Sequence, residues 1–167
     1  MPVSIDAIKT LREKTGAGII DSKKALEQTN GDIVAAEKIL KEKGLSDASK
    51  RATRKTQMGV VESYIHGGGR IGSMVELGCE TDFVARTDEF KNLAHDIAMQ
   101  VAALKPQFIA VEDVPSGFQG NVEEVVLLKQ PFIRDQGKTI QDLVTELISK
   151  TGENIKVRRI ARFELGE

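Results

Sequence analysis

Three observations predict an α+β fold in which three short helices precede an antiparallel sheet of about three strands covered by helices. The first 45 residues carry apolar positions at helical spacing in three separate runs. Residues 60–80 and 155–165 alternate in strand fashion, the first stretch around the run Gly67-Gly68-Gly69. Between them, Phe90, Ala94, Ile97, Ala98 and Val101 fall on one helical face. Periods near 3.6 and 2 separate the two element types, and helices laid on one side of an antiparallel sheet are the economical way to bury both.

The elements follow in order. Ser4 can cap a helix whose Ile5, Ile8 and Leu11 share a face, with Asp6 at its positive end. Thr15-Gly16-Ala17-Gly18 permits a tight passage to a second helix, whose apolar surface is Ile19, Ile20, Ala25 and Leu26. Asn30-Gly31-Asp32 makes a turn and cap for a third, carrying Ile33, Ala36, Ile39 and Leu40, with Gly44 as its stop. Such short helices are marginal alone, so they must pack together. Residues 1–45 therefore form one helical domain. Leu45–Gln57 is polar and basic without an apolar stripe, and residues 46–57 are a basic helical or flexible connector.

Residues 58–167 form the second domain. Val60–His66 and Arg70–Glu80 make a hairpin, with Val61 and Ile65 sharing one face of the first strand and Ile71, Val75, Leu77 and Cys79 one face of the second. Thr87 caps the long helix that covers them, and Lys105-Pro106 ends it. Gln107–Val111 reads as extended, Pro115-Ser116-Gly117 as a turn, and Val122–Leu128 as a short helix or buried run. Lys129-Gln130-Pro131-Phe132 reads as a loop against the core. Thr139 and Asp142 fit a capping box ahead of Ile140, Leu143, Val144, Leu147 and Ile148, and Gly152 closes that helix. In the last strand Val157, Ala161, Phe163 and Leu165 are in phase, with Arg158 and Arg162 on the other side.

Composition narrows the function classes. The chain has 167 residues, a net charge of −1 and one cysteine, Cys79, so no internal disulfide can form and a reducing cytosol is the expected compartment. No apolar run approaches the ~20 residues that span a bilayer. Residues 1–56 hold 12 lysines and arginines against 8 acids, and residues 57–167 hold 12 against 17. That modest basic excess, with one tyrosine and no tryptophan, gives little support to direct nucleic-acid binding.

Covalent chemistry finds no foothold. His66-Gly67-Gly68-Gly69-Arg70 lacks the GxxxxGK[ST] arrangement of a phosphate loop, and Gly16-x-Gly18 lacks a preceding strand. His66, Glu76, Cys79, Glu80, Asp82 and His95 have no metal-ligand spacing, and strand alternation separates several of them. Neither histidine sits in a nucleophile–base–acid pattern. No cofactor and no metal are expected.

One joint remains. At the changeover from strand to helix lies Thr81-Asp82-Phe83-Val84, an acid and a large aromatic side by side. Phe83 either anchors the joint or is presented to a partner.

The runs LREKTGAGIIDSKKALEQTNGDIVAAEKILKEKG, CETDFVARTDEF, KQPFI and GENIKVRRIARFELG resemble, in order and over nearly the whole chain, the bacterial elongation factor Ts family. Members are nucleotide exchange factors for elongation factor Tu. The resemblance implies a ubiquitin-associated-like helical domain followed by a compact α+β core. It implies that Phe83 inserts into the nucleotide-binding domain of elongation factor Tu near its magnesium and phosphate site, that Asp82 positions or completes that contact, and that Thr81 and Val84 flank it. Leu11, Arg12, Thr15, Gly16, Ala17, Gly18, Asp21, Lys24, Ala25 and Leu26 match the family's N-terminal motif, as partner contacts or as support. Val111–Leu128 stands where longer members carry a larger region, and short members imply a homodimer. The rival reading is a non-catalytic protein-binding adaptor.

Overall fold

The computed structural model describes residues 3–167. Among them, seven α-helices and five strands follow in order, and they fall into two compact units, one comprising residues through Arg54 together with Thr145–Asn154, the other Lys55–Val144 with Ile155–Glu167.

The helical unit contains α1 (Ile5–Thr15), α2 (Ile19–Gln28) and α3 (Ile33–Arg51). The caps form as the sequence predicts. Ser4 Oγ accepts from the Ala7 amide at 3.1 Å, Asp32 accepts from Val34 and Ala35, and Gly16 ends α1 in the left-handed conformation. Leu11, Ala25, Leu26, Ala36 and Leu40 make the core, with Ile8, Ala17, Ile33 and Ile39 packed against it. A core of five residues is too small to cover every apolar position of three helices. Ile5, Ile19 and Ile20, expected on the inner faces, are instead 84%, 58% and 70% exposed.

Gly44 is not a stop. The third helix runs through it to Arg51, so the helix takes in part of the basic stretch expected as a connector. Residues 145–154, which include most of α7 (Ile140–Thr151), group with this helical unit, whereas the sequence division places them in the 58–167 core. Gly44 is where α3 meets them: a Cβ there would stand 3.0 Å from Ser149 Oγ and 3.5 Å from Thr145 Cγ2. The missing side chain serves a close helix–helix approach rather than a change of direction.

The second unit is built on an antiparallel sheet of order β1-β2-β5, formed by β1 (Met58–His66), β2 (Ile71–Cys79) and β5 (Ile155–Glu164). The glycine run turns β1 into β2 with φ of 60°, 68° and 87°, a conformation that any Cβ would strain. After β2 come the single turn α4 (Asp82–Ala85) and the long α5 (Asp88–Leu104), which lies on one face of the sheet. Ser73 Oγ donates to Ala98 O at 2.6 Å across that contact. Val75, Leu77, Cys79, Ile155 and Val157 face Phe90, Ala94, Ile97, Ala98 and Val101 in the buried layer.

Residues 106–138 hold more structure than the sequence suggests. A parallel bridge joins Phe108 to Val126, α6 (Val122–Val125) follows Asn121, and β3 (Pro131–Phe132) pairs with β4 (Asp135–Thr139) in a second, two-stranded sheet where only a loop is expected. Two buried glutamines hold the segment. Gln100 Nε2 donates to Gln130 Oε1 and Pro131 O at 3.2 and 3.0 Å, its Oε1 accepts from the Ile133 amide, and Gln130 Nε2 donates to Glu124 O. Fully satisfied buried amides specify one arrangement and cost little.

The last strand corrects a second expectation. A bulge opposite Glu76/Leu77 shifts the register, so Val157 pairs with Leu77 but Arg159 pairs with Glu76. Beyond the extra residue every side chain changes face. Val157 is buried under α5, while Ala161 and Phe163, nominally in phase with it, lie on the other side, and Leu165 falls beyond the strand's end. Arg162 takes the covered face instead.

Candidate functional site

The strand–helix joint is a braced corner. β2 ends at Cys79, whose thiol donates to Thr81 O at 3.1 Å. Thr81 Oγ1 then accepts from the Val84 amide and starts α4. Ala85 N donates to Thr81 O and Arg86 N to Asp82 O, at 3.3 and 3.1 Å. Thr87 closes the corner: its hydroxyl donates to Val84 O at 2.8 Å and accepts from the Phe90 amide at 3.3 Å, ending α4 and capping α5 with one group. Asp88 and Glu89 sit in the favourable first turn of α5.

Phe83 stands on this corner with its ring in solvent, 80% exposed. A free phenylalanine on a hydrogen-bonded, capped turn is the arrangement expected of a contact residue, since an anchor would be buried. Asp82 is half-buried and pairs with Arg86, Oδ2 to Nη2 at 2.8 Å. Thr81 and Val84, on either side of the Asp82-Phe83 pair, are half-buried. The four residues singled out by the sequence are therefore consecutive parts of one projection.

The N-terminal motif residues divide. Leu11 is fully buried, Thr15 Oγ1 donates to Leu11 O at 2.7 Å, Gly16 donates to Arg12 O, Ala17 packs against the core and Asp21 pairs with Lys43 at 2.5 Å. These support the helical unit. Arg12, Gly18 and Lys24 are exposed, and beside Gly18 lie Ile19 and Ile20, the apolar residues that sequence periodicity assigns to the core. The available signal was two adjacent large apolar side chains at the first positions of a helix, which cannot both face the same neighbour.

A second apolar surface lies on the sheet face opposite α5. Val61 and Ile65 of β1, Met74 of β2 and Phe163 of β5 are all exposed there, and Leu165, just past the end of β5, is exposed as well. Register places Phe163 opposite Gly72, Ile65 opposite Gly72 from the other strand, and Ala161 opposite Met74. Glu76 bridges Arg159 and Arg158 at 2.6 and 3.1 Å near one end of this face. Arg158 also donates to Thr56 O at 2.6 Å, a contact allowed by Gly78, where a Cβ would crowd both residues.

Among the described residues no three histidines, cysteines or acids converge as a metal site, and no helix is long and apolar enough to cross a membrane. The two histidines instead flank Tyr64: its hydroxyl lies 2.9 Å from His66 Nδ1, and its ring meets His95 edge-on.

Residues 9–121 match the profile of a family described as elongation factor TS. The protein named elongation factor Ts of Carboxydothermus hydrogenoformans is 50% identical, over 99% of this chain and 90% of its own length. That of Caldanaerobacter subterraneus subsp. tengcongensis is 48% identical over 99% and 98%, and that of Thermotoga maritima 47% over 100% and 98%. These alignments run over 195 positions, more than the 167 residues here, so the relatives carry residues that this chain lacks.

Proposed function

The chain belongs to the elongation factor Ts family, and from that premise we propose that it is a guanine-nucleotide exchange factor that binds elongation factor Tu and promotes GDP release by inserting the Asp82-Phe83 tip near its magnesium and phosphate site. The observation that carries this reading is the exposed Phe83 ring on a turn braced by Cys79, Thr81 and Thr87. A rigid apolar projection loses little conformational freedom on binding, so its burial energy can be spent on the partner.

Magnitudes set the shape of the mechanism. A 1,000-fold acceleration of release corresponds to about 4.1 kcal/mol. Burying one phenylalanine supplies roughly 1.5–3 kcal/mol before binding costs. The wedge therefore acts together with loss of the partner's own magnesium and phosphate contacts, while other surfaces hold it in place. Exposed Arg12, Gly18, Ile19, Ile20 and Lys24 supply such a surface on the helical unit. Binding favours the nucleotide-poor state of elongation factor Tu, and reciprocity requires GDP or GTP to weaken the complex by the same factor.

No covalent step, cofactor or metal of its own enters this mechanism, and nucleic acid and membrane play no direct part. The protein works in the cytoplasm, as a homodimer formed through the open sheet face.

The test is release of labelled GDP from elongation factor Tu. Phe83→Ala at saturating concentration should slow release while leaving thermal unfolding unchanged, and Asp82→Ala should be milder. A normal rate for saturating Phe83→Ala would exclude the wedge. Stable binding by the wild type without acceleration would favour the adaptor reading.

A further inference from the structure

Resting on the exchange reading above, we infer that Arg86 is the positioning residue of the tip: its ion pair with Asp82 spans α4 from end to end and keeps the turn closed beneath Phe83. Four residues are too few for a helix to persist on its own hydrogen bonds, because nucleation fixes several residues for each bond gained. The two backbone bonds of α4 are of ordinary length, and the Thr81 cap is long at 3.4 Å. The Arg86–Asp82 contact, at 2.8 Å, is shorter than any of them. It joins the first residue of the helix to its C-terminal cap. The acid lies at the positive end of the turn and the cation at the negative end, which is the favourable orientation for an i,i+4 pair.

The Phe83 ring has little of its own subunit to lean on, so its direction follows from the backbone of α4. Ala85, nearly fully buried, and Thr87 fix the far end of the turn. Among the described residues the Asp82 carboxylate pairs with Arg86 alone, whose own side chain is 78% exposed. On docking, both charges lose water together, and a carboxylate already paired enters an anionic phosphate site at less cost than a bare one. Arg86 therefore acts through Asp82 and Phe83, and touches no reacting group.

The experiment measures GDP release against concentration for Arg86→Ala and Arg86→Lys, with amide hydrogen exchange on the isolated variants. Arg86→Ala should lower the maximal rate about two- to fivefold, the range of one surface ion pair, with little change in the half-saturating concentration. The amides at positions 85 and 86 should exchange faster, while those of α5 stay protected. Arg86→Lys should recover at least half of the loss, since lysine makes the same i+4 pair. On an Asp82→Ala background, Arg86→Ala should add nothing. Unchanged amide exchange in Arg86→Ala would overturn the proposal, as would a lysine variant as slow as the alanine one. A wild-type maximal rate for Arg86→Ala beside a slow Phe83→Ala would overturn it alone, whereas a wild-type rate for Phe83→Ala would remove the exchange reading and this proposal with it.

Discussion

Arg162 Nε donates to the carbonyl oxygen of Ala102 at 3.0 Å, from the face of the sheet that the strand's own alternation assigns to hydrophobic residues. Its side chain is only 13% exposed and also reaches Glu164 at 2.8 Å and Glu167 at 3.5 Å. Ala102 is in the last turn of α5, where free carbonyls and the negative end of the helix favour a cation. Arg162→Ala should therefore cost about 1.5–3 kcal/mol, the range for a hydrogen bond to a charged group. Urea unfolding should show a lower midpoint with an unchanged slope.

Lys105 and Glu164 extend this cluster, and their titration has a defined sign. The hydrogen bond from Lys105, then that from Arg162, hold the Glu164 carboxyl below its ordinary value of 4.5. Its contribution is complete above that value and is lost as pH falls through the lowered one. The bonds that Lys105 donates to Glu164 and Glu167 raise its pKa above 10.5, so its contribution is complete below 10.5 and is lost as pH rises through the raised value. Lys105→Met should lower the melting temperature at neutral pH. The difference from the wild type should shrink both below pH 4.5 and well above pH 10.5. A constant difference from acid to alkali would show that Lys105 contributes packing rather than charge.

The parts legible in the sequence were those governed by local rules. Ser4, Asp32, Thr87 and the Thr139–Asp142 box cap helices as their spacing indicates, and Asp142 Oδ2 accepts from the Thr139 amide at 2.9 Å. Periodicity also found the buried stripe of α5. It failed where one extra residue or one tertiary contact reverses a face. The bulge at Arg158 carries no sequence mark, so Phe163 and Arg162 were assigned to each other's sides. Gly44 looked like a stop because a helix-ending glycine and a close-packing glycine are the same letter. Gln100 and Gln130 are polar by composition and buried by network, which no hydrophobic pattern can show. At the tip, the sequence marked Asp82 and Phe83 through the family resemblance, while the bracing by Cys79 and Thr87 needed distances.

At Gly44 two effects oppose. Alanine should gain roughly 0.8–1.0 kcal/mol in helix propensity over glycine. The added methyl meets Ser149 Oγ at 3.0 Å, a contact that a hydroxyl-bearing side chain can relieve by rotating. Gly44→Ala should thus fall near neutral. Gly44→Leu cannot be accommodated in the same way and should cost about 1–3 kcal/mol through overpacking. Thermal unfolding of the two variants decides it; a leucine variant as stable as the wild type would show that α3 and the segment around Ser149 separate freely.

The open sheet face makes the proposed homodimer testable. Val61, Ile65, Met74 and Phe163 present four large apolar side chains on one side of a three-stranded sheet, with exposed Leu165 just past its edge. Each gains roughly 1.5–3 kcal/mol on full burial, together enough to offset an association cost of about 4–15 kcal/mol. Two such faces can stack about 10 Å apart with interleaved side chains, as in a β-sandwich. Phe163 is the most exposed of them at 72% and lies opposite Gly72, over which the Ile65 side chain also reaches, so the two side chains form one apolar ridge across β2. Phe163→Glu should weaken self-association by about a hundredfold, or 2.8 kcal/mol. Sedimentation at working concentrations should then give the 18.3 kDa monomer. The tip lies elsewhere on the chain, so a monomer that still binds elongation factor Tu but releases GDP more slowly would mean that a second copy strengthens the exchange complex. A wild type that sediments as a monomer at every concentration would leave this face to some other partner and remove the dimer.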